Sequence, residues 1–461
     1  MTANLIEFPY HPHSSLKLFK SLSSNPWSIL LYSGYDNKHP DSRFDILVTN
    51  PSLTLTTYDK ITTISYNNKN KTSNQDPFLL LKKYTQIYQL KTDHNYPIPF
   101  QGGFIGVFGY DLVRNIELIP TLAQKDIHLP DMAIGFYKWA IISDHKTLKN
   151  YLVTHNDPKP ILNWIHQQYA YNDKHMQSFQ LLNAWQSNIT INEYSKKFKI
   201  IKKHLKMGNC YQICLSQRFK APYIGHEWTA FRYLLNYNTA PFSAFIRLPN
   251  YSSILSFSPE RFIKLKNSNI ITQPIKGTLV KLKNTKEDQK QKQKLSQSSK
   301  DQSENLMIVD LLRNDIGKVA IPGSIQVTRL FEIQSFSQVH HMVSTIIGKL
   351  DNKFSAIDLL KACFPGGSIT GAPKIQAMKL IETLEPHRRS VWSGSIGYLS
   401  CCGNMDTNIS IRTLLTNKYN LFCTVGSGII FESKQDLEYQ EMQDKISTLL
   451  TPLSQYNHKK S

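Results

Sequence analysis

A glutamate and a lysine flank a short hairpin that is predicted near the middle of the chain. Residues 262–265 and 270–273 are strand-like runs, and the turn-forming residues 266–269 (KNSN) separate them. Folding the chain at the centre of that turn brings Glu260 and Lys276 to the open end of the hairpin, where opposed Cβ atoms are roughly 5 Å apart. A carboxyl group and an amine at that separation could act as proton donor and nucleophile on one small molecule. The simpler alternative is a surface ion pair worth at most about 1 kcal/mol.

Acidic residues on two predicted helices are candidates for binding a cation. Asp301 and Glu304 lie three residues apart at the start of one helix. Glu438, Glu441 and Lys445 share one face of a second helix at positions i, i+3 and i+7. Two such faces could hold one hard cation through carboxylate oxygens, and Mg²⁺ typically keeps several waters in a site of this kind. Exposed acids on solvated helices are the commoner explanation.

A glycine-rich turn is a candidate for binding an anion. Residues 364–374 (FPGGSITGAPK) place Pro373 near the first position of a predicted helix. Free backbone N–H groups at a helix N-terminus bind a carboxylate or a phosphate. A purely structural turn is the alternative interpretation of the same residues.

Two predicted strands and one histidine complete the candidates. Alternation within residues 408–413 places Arg412 on the face opposite two isoleucines, where its guanidinium would form a fork for a carboxylate. The next strand, predicted over 421–431, contains Gly426, at which backbone can approach a ligand closely. His341 lies in an apolar run, and a histidine buried in the core is the default interpretation.

The elements that position these residues divide the chain into regions. Residues 1–155 alternate short strand-like runs with turns, whereas the helix and strand patterns become clearer from residue 190 onward. Residues 283–300 are charged and predict a mobile, solvated segment with a short helix and no core face. We expect an N-terminal region over 1–155, a polar linker over 156–189, a catalytic domain over 190–452 and a disordered tail over 453–461.

Composition excludes some classes of protein and leaves others open. No apolar run is long enough to span a membrane, and the N-terminus lacks the pattern of a signal peptide. The six cysteines lack CxxC spacing, which favours a cytoplasmic protein with reduced thiols. The net charge of +20 suggests nucleic acid or an anionic metabolite as partner, but the sequence has no known nucleic-acid-binding motif. The charge alone therefore selects no function.

Seven motifs, taken together in this order, resemble those of the chorismate-utilising enzymes, which include the anthranilate, isochorismate, salicylate and aminodeoxychorismate synthases. The resemblance is strongest over residues 195–450, and the N-terminal half is similar to the companion region of that family. It implies an α+β fold in which two large, mainly antiparallel sheets pack orthogonally as a sandwich with flanking helices. The motifs are SPERF (258–262), PIKGT (274–278), ENLMIVDLLRND (304–315), HHMVS (340–344), PGGSITGAPK (365–374), NISIRT (408–413) and EYQEMQDK (438–445).

The residues at three positions distinguish the branches of that family. Anthranilate synthases generally have alanine at the place of Lys276, and they tend to have tyrosine at the place of Trp392. Isochorismate and salicylate synthases have a water-activating lysine at the place of Gln212. The resemblance is therefore to the component that forms aminodeoxychorismate, with anthranilate synthase component I as the alternative. Cys214 departs from the family pattern, because relatives often have asparagine there.

The resemblance also implies a cofactor and a set of metal ligands. Mg²⁺ would be bound by Glu304 and Glu441, with Glu438 and Asp301 as ligands through water. The metal would hold the ring carboxylate of chorismate. A basic nucleic-acid-binding protein with a degenerate catalytic domain is a rival class, and the intact acidic and basic motif residues speak against it.

The roles of the remaining site residues are implied in the same way. Lys276 would attack ring C2 of chorismate while Glu260 protonates the departing C4 hydroxyl group, and ammonia would then add at C4. His341 would assist the handling of charge on the ring. Ammonia would come from a separate glutamine amidotransferase subunit, since the chain has no Cys-His-Glu amidotransferase pattern. The second carboxylate of chorismate would be bound by side chains and backbone groups at Arg412, Lys445, Gly426, Thr370 and Gly371.

Overall fold

The computed structural model describes residues 3–34, 39–170, 178–282, 284–336 and 339–456. In the first part of the chain the helices are α1 (Ser14–Lys20), α2 (Pro77–Ile87) and α3 (Lys159–Ala170). The strands there are β1 (Asn4–Phe8), β2 (Ile29–Tyr32), β3 (Phe44–Val48), β4 (Leu53–Tyr58), β5 (Ile61–Tyr66), β6 (Lys69–Ser73), β7 (Gly103–Phe108), β8 (Met132–Tyr137), β9 (Trp139–Asp144), β10 (Lys149–Thr154), β11 (Phe179–Leu181) and β12 (Gln186–Ser187).

The second part of the chain is richer in helix. Its helices are α4 (Ile191–Lys206), α5 (Glu227–Leu234), α6 (Thr285–Ser296), α7 (Ser299–Gly317), α8 (Ala356–Cys363), α9 (Lys374–Leu384) and α10 (Gln435–Tyr456). Its strands are β13 (Gln212–Gly225), β14 (Phe242–Arg247), β15 (Ser253–Ser258), β16 (Arg261–Lys266), β17 (Asn269–Thr272), β18 (Ile275–Val280), β19 (Gln326–Ser335), β20 (Val339–Lys349), β21 (Gly371–Ala372), β22 (Ser395–Ser400), β23 (Met405–Asn408), β24 (Thr413–Thr416) and β25 (Asn420–Ile429).

The strands of the described residues form two large sheets. The first has 13 strands and follows the order β1-β10-β9-β3-β2-β14-β15-β24-β25-β13-β11, with β12 and β21 also paired to β13. The second has 12 strands and follows the order β18-β20-β17-β16-β23-β22-β7-β8-β4-β5-β6, with β19 paired to β20. Neighbouring strands are antiparallel throughout these orders. The predicted α+β fold with two large antiparallel sheets is confirmed.

Three clusters of buried side chains hold these layers together. One cluster joins residues of β2, β3, β14 and β15 in the first sheet to residues of β7, β8 and β22 in the second, so it lies between the sheets. A second cluster packs α1, α4, α5 and α10 on the first sheet. The third packs α2, α7 and α8 on the second sheet. Burying apolar surface on both faces of each sheet therefore gives a layered molecule with helices outermost.

Both halves of the chain contribute strands to both sheets. In the first sheet β2 pairs with β14, and in the second β7 pairs with β22. The boundaries predicted at residues 155 and 190 therefore do not separate two folding units. Sequence patterns act over short distances and give no information about pairing between strands that are far apart in the chain.

The described parts of two segments, the predicted linker and the predicted solvated segment, pack against the rest of the molecule. This corrects both expectations, although the short helix predicted in the second segment is present. The predicted linker over 156–189 contains α3, whose Ile165 is buried, and β11, which pairs with β13. In the described part of residues 283–300, α6 buries Leu295, and α7 begins at Ser299. Leu295 and the 2.8 Å contact of Asp288 with His340 anchor α6, although this helix lacks a clear apolar stripe.

The predicted tail over 453–461 is also only partly described. Its first four residues belong to α10, and Leu453 is buried there. Residues 457–461 lie outside the described residues. Among the helices that the structure describes, none is long and apolar enough to cross a membrane.

Candidate active site

The predicted hairpin is present and fixes the position of Glu260. In β16 and β17, Lys266 pairs with Asn269, and the two residues between them, Asn267 and Ser268, have positive φ angles of 50° and 63°. Two-residue turns of this kind match the twist of the strands that they join. The hairpin is held in the sheet by β23 on one side and β20 on the other. Glu260, directly before β16, is therefore carried by a rigid element.

Glu260 is buried, with 5% of its surface exposed. Burial raises the pKa of its carboxyl group to about 7, although a hydrogen bond with Ser368 and the charge of Lys276 act in the opposite direction. A carboxyl group with that pKa is about half protonated near neutral pH and is suited to donate a proton. The alternative of a surface ion pair is wrong, because Glu260 is not at the surface.

Lys276 lies on β18, and its amine contacts the turn that precedes α9. The amine donates a hydrogen bond to the carbonyl oxygen of Ser368 at 3.2 Å and lies 3.6 Å from Oε2 of Glu304. Only 10% of the Lys276 side chain is exposed. The pairing of β18 with β20 shifts by one residue just after Lys276, at Gly277, which has a φ of +68°. This bulge re-aims the strand between Lys276 and Thr278.

Backbone at Gly428 lies directly beside the Lys276 amine. A Cβ atom added to Gly428 would lie 2.5 Å from Nε2 of Gln212, 3.1 Å from Oε2 of Glu304 and 3.4 Å from Nζ of Lys276. Neither polar atom of the Gln212 side chain has a hydrogen-bond partner within the described residues, although the residue is fully buried. Buried amides without partners are uncommon in folded proteins. These residues therefore form a polar cavity wall with free hydrogen-bonding capacity.

Three of the four predicted metal ligands surround one lysine. The Lys300 amine lies 2.5 Å from Oε1 of Glu438, 3.6 Å from Oε1 of Glu304 and 3.8 Å from Oε2 of Glu441. Burial acts to lower the pKa of Lys300, but the charges of Glu438 and Glu304 outweigh it and raise the pKa. Burial also raises the pKa of Glu304 above its usual range, against the opposing charges of Lys276 and Lys300. Asp301 forms no ion pair within the described residues.

The carboxylates near Lys300 have the donor chemistry of a magnesium site. Within the described residues, no group of three or more His, Cys, Asp or Glu side chains is close enough together to bind a metal as it stands. However, Glu304, Glu438 and Glu441 converge on a single cationic atom, and Oε2 of Glu438 is buried without a hydrogen-bond partner. Carboxylate oxygens are the donors that Mg²⁺ prefers. The donor set therefore fits the cation chemically.

Glu441 and Lys445 form an ion pair at the edge of this group. Their charged atoms are 2.6 Å apart, and each side chain is about two-fifths exposed, at 44% and 38%. Burial acts to raise the pKa of Glu441, but the charges of Lys445 and Lys300 lower it. The Lys445 amine also lies 3.5 Å from the carbonyl oxygen of Gly426. The structure thus brings together Lys445 and Gly426, two of the residues that were expected to bind substrate.

His341 is buried on β20 in contact with Thr278. Its Nδ1 atom is 2.8 Å from the Thr278 hydroxyl oxygen. The centroids of the His341 and Phe336 rings are 5.4 Å apart. Burial, followed by the positive charge of Arg412, lowers the pKa of His341 to about 3. The imidazole is therefore neutral at neutral pH. It can exchange a hydrogen bond with a ligand but carries no charge there.

The position of Arg412 differs from the prediction. Residues 409–412 connect β23 to β24 and are not in a strand, and Arg412 has a positive φ of 48°. The alternation argument was therefore wrong, since it requires an extended backbone. Burial lowers the pKa of the Arg412 guanidinium, which forms no ion pair within the described residues. The side chain nevertheless lies near His341, as its effect on that imidazole shows.

Two predicted anion-binding residues have mainly structural contacts. The Thr370 hydroxyl donates a hydrogen bond to the carbonyl oxygen of Gly366 at 2.9 Å, and the Thr370 carbonyl accepts one from the backbone of Cys214. Gly371 has a φ of +143°, and a Cβ atom there would lie 2.0 Å from the carbonyl oxygen of Gln212. The turn before α9 is thus fastened to β13, so its residues support the site through their backbone.

Arg389, which has no predicted role, holds that turn in place. Its guanidinium donates hydrogen bonds of 2.7 Å to the carbonyl oxygens of Ile369 and Cys214. It also pairs with the Glu385 carboxylate through bonds of 2.8 and 2.6 Å, and all of these groups are buried.

Sequence reasoning also missed Ser368 and Lys300. The spacing of Lys300 four residues before Glu304 was a signal that could have indicated their contact.

A separate cavity of about 570 Å³ lies apart from these residues. It is lined by both halves of the chain, including Tyr32, Phe44, Tyr96, Phe242 and Tyr398. None of the predicted catalytic, metal-binding or substrate-binding residues lines it. This cavity is therefore not part of the candidate active site around Glu260 and Lys276.

Comparison with known proteins identifies the class to which this site belongs. The chain matches the family described as chorismate binding enzyme over residues 33–451. Because the match covers most of its length, the chain belongs to the family of chorismate binding enzymes. The resemblance inferred from the seven motifs is confirmed.

Two relatives and one solved structure place the chain more closely. It is 50% identical over 435 residues to aminodeoxychorismate synthase component 1 of Escherichia coli (strain K12), covering 94% of this chain and 95% of the relative. It is 48% identical over 453 residues to the protein of the same name in Salmonella typhimurium, covering 98% and 99%. The crystal structure of anthranilate synthase component I from Streptococcus pneumoniae TIGR4 is similar with a TM-score of 0.79 and 29% identity, covering 90% and 93%.

Proposed function

We propose that this chain combines chorismate with ammonia to form 4-amino-4-deoxychorismate, as an aminodeoxychorismate synthase component 1. The observation that carries the proposal is that Lys276, whose side chain is 10% exposed, and Glu260, whose pKa is about 7, both form hydrogen bonds with Ser368. The names of the two relatives that are about half identical to the chain support the same activity. The reaction transfers an amino group to chorismate, which makes the enzyme a transferase.

In the first half of the reaction, Lys276 first loses a proton to solvent, and its uncharged amine then forms a bond to ring C2 of chorismate. The ring double bonds shift, and the bond between C4 and its hydroxyl oxygen breaks. Glu260 gives its proton to that oxygen, which leaves as water. Proton donation by a positioned acid of suitable pKa typically contributes about 10²–10⁴-fold in rate.

In the second half, ammonia adds at C4 and the double bonds shift back. The bond between C2 and Lys276 breaks, which returns the lysine to its uncharged amine. The new ammonium group at C4 then gives one proton to the Glu260 carboxylate, so both residues regain their starting states. Covalent catalysis of this kind divides one difficult displacement into two easier steps.

The charged groups around the pair suit the two carboxylates of chorismate. Arg412, Lys445 and backbone N–H groups near Gly426 and Gly371 would bind one of them. Mg²⁺, held by Glu304 and Glu441 directly and by Glu438 and Asp301 through water, would supply positive charge for the ring carboxylate. His341, neutral at pH 7, would contribute a hydrogen bond to the ring substituents.

We further propose that ammonia is delivered by a separate glutamine amidotransferase subunit and that the enzyme acts in the cytoplasm. The numbering of the relatives as component 1 supports the first statement. The six cysteines are free thiols, which supports the second. The purified chain should therefore use ammonium alone, and it should use glutamine only after such a subunit is added. Turnover of glutamine by the chain alone would contradict the missing subunit.

Product analysis tests the activity itself. The purified chain is incubated with chorismate, Mg²⁺ and ammonium, and the products are separated and examined by mass and ultraviolet spectrum. We expect 4-amino-4-deoxychorismate, with no effect of added nucleic acid. Formation of anthranilate would establish the alternative function, anthranilate synthase component I, and would overturn the proposal.

A further inference from the structure

The amine of Lys300 occupies the point at which three carboxylates converge. It forms a close ion pair with Glu438 at 2.5 Å and lies within 3.8 Å of both Glu304 and Glu441. Two helices build this arrangement. Lys300 and Glu304 are one turn apart on α7, so they share a face, and Glu438 and Glu441 lie on the first turns of α10.

Lys300 is the member of this group best able to move. Its side chain is 30% exposed, whereas the Glu438 side chain is 1% exposed and the Glu304 side chain 8% exposed. A lysine has a flexible four-carbon stem, so its amine can turn toward water without any movement of the helix. The two buried carboxylates have no such freedom. Removing the Lys300 amine would leave Glu438 with no ion pair within the described residues and Glu304 with Lys276 alone, and unpaired buried charges are costly.

We propose that Lys300 and a divalent cation are alternative counter-ions for Glu304, Glu438 and Glu441. Metal binding breaks the ion pair between Lys300 and Glu438 and turns the Lys300 amine outward to water. Without metal, the amine returns and keeps the carboxylates neutralised and in place. This inference rests on the metal site of the proposed function, but it assigns a role to a residue that this function does not use.

The proposal has a direct consequence for affinity. Because the metal must replace an existing ion pair, Lys300 weakens the binding that the carboxylates alone would give. An internal competitor of this kind reduces the apparent affinity by the fraction of molecules in which the site is free. Lys300 is thus a positioning residue that sets the metal concentration at which the site fills.

Mn²⁺ binding to the full chain measures this effect. Free Mn²⁺ is followed by electron paramagnetic resonance at one fixed pH and ionic strength, for the wild type, Lys300→Met and Lys290→Met. Lys290 is an exposed lysine on the neighbouring α6, so its replacement removes the same charge from the surface. We expect the dissociation constant to fall at least tenfold in Lys300→Met and to change less than twofold in Lys290→Met.

Further measurements separate the possible outcomes. Lys300→Arg keeps the positive charge and should bind Mn²⁺ no more tightly than the wild type. Lys300→Met should melt at a lower temperature than the wild type without metal and gain more from added Mn²⁺, with unchanged circular dichroism. A crystal structure with Mn²⁺ should show the metal near the present position of the Lys300 amine, with that amine turned outward.

Different results would overturn different statements. Equal Mn²⁺ affinity in Lys300→Met and wild type, or a metal bound while Lys300 still contacts Glu438, would overturn the role of Lys300 and leave the metal site intact. Absence of Mn²⁺ binding in every variant would remove the metal site and this inference with it. Amination of chorismate without any divalent cation would contradict the metal in the proposed function, whatever the affinities.

Discussion

The amine of Lys276 donates a hydrogen bond to the carbonyl oxygen of Ser368, a residue 92 positions further along the chain. Ser368 also forms a hydrogen bond with the carboxyl group of Glu260. One residue of the glycine-rich turn therefore contacts both members of the proposed catalytic pair. Because the turn is fastened to β13 and to Arg389, the spacing between acid and amine depends on elements far from either residue.

Replacing Lys276 tests whether its amine is the nucleophile. If it bonds to C2, mass spectrometry of the quenched intact protein should show a gain close to the mass of chorismate less one water. Lys276→Ala should lose this adduct and should lose the 4-amino product by roughly a hundredfold or more, since covalent catalysis contributes several kcal/mol. We also expect leakage toward 2-amino products. A variant that makes the 4-amino product at near wild-type rate would refute the assignment.

Replacing Glu260 tests the proton donor through pH dependence. Because the acid form is needed and burial raises the pKa of Glu260 to about 7, kcat/KM should fall as the pH rises through about 7. Glu260→Gln should be much slower and should lose this limb of the profile. His341, with a pKa of about 3, does not titrate in this range. If kcat/KM of Glu260→Gln still fell in the same way as the pH rises through about 7, that fall would belong to the titration of another group.

The same pKa predicts how stability changes with pH. The carboxyl group of Glu260 binds its proton more tightly in the folded chain, so its contribution to stability is greatest below pH 4.5 and is lost as the pH rises to about 7. Glu260→Gln carries no such penalty and should gain melting temperature relative to the wild type between pH 4.5 and 8. Asp310→Asn, which changes a carboxylate that is 61% exposed, should show no such trend. An equal trend in both variants would contradict the burial argument.

Arg412 should contribute to binding without contributing to stability. Its side chain is partly buried and its guanidinium forms no ion pair within the described residues, so it has capacity for a substrate carboxylate. Arg412→Gln should raise the KM for chorismate roughly 10- to 100-fold, because hydrogen bonds to charged groups are worth about 1.5–3 kcal/mol. The melting temperature should stay the same or rise. A lower melting temperature with unchanged KM would make Arg412 a structural residue.

Gly428 should be sensitive to the addition of a single methyl group. Gly428→Ala would press on the side chain of Gln212 beside the Lys276 amine, and overpacking of this kind typically costs about 1–3 kcal/mol. We expect kcat/KM to fall roughly tenfold. Gly348→Ala is a matched control, because its added Cβ would meet only side-chain carbons at 3.5 Å or more. Equal activity of both variants would show that the Gln212 side chain can move away from the added methyl group without disturbing catalysis.

Glu441→Ala tests the proposed metal ligand. Loss of a ligand should cost several kcal/mol of charge stabilisation, so activity should be abolished while the fold remains intact. Circular dichroism and Mn²⁺ titration report on fold and metal separately. Activity within about threefold of the wild type would remove Glu441 from the ligand set.

Local patterns predicted the parts of this site that local forces determine. The hairpin that positions Glu260 was correct, because turn residues and short apolar runs act over a few residues. Helix α4 likewise begins at a capping box formed by Thr190 and Glu193, two residues that are close together in the sequence. The seven motifs located the remaining groups through resemblance, and no single-sequence argument would have brought their distant positions together.

The errors have a common physical origin in tertiary contacts. Arg412 was placed on a strand face, but the chain there bends with a positive φ to pass from β23 in one sheet to β24 in the other. Residues 283–300 were expected to be solvated, but Leu295 is buried against the second sheet's edge at β18. Lys300 was included in that solvated segment because its neighbours in the sequence are charged and polar, but it contacts Glu438. In each position a partner far along the chain outweighs the local preference.

The interleaving of the two sheets also constrains how the chain acquires its structure during synthesis on the ribosome. Within the described residues, strand β13 joins the centre of the first sheet through β25. Residues 213–222 therefore cannot take that pairing until residues 420–429 emerge, although β11 and β12 can pair with β13 earlier. Contacts so distant in sequence form slowly and leave strand edges exposed in the meantime. The carboxylates of Glu438 and Glu441 follow later still. Nascent chains stalled before residue 420 should therefore depend on chaperones and be inactive, however completely their first half has been made.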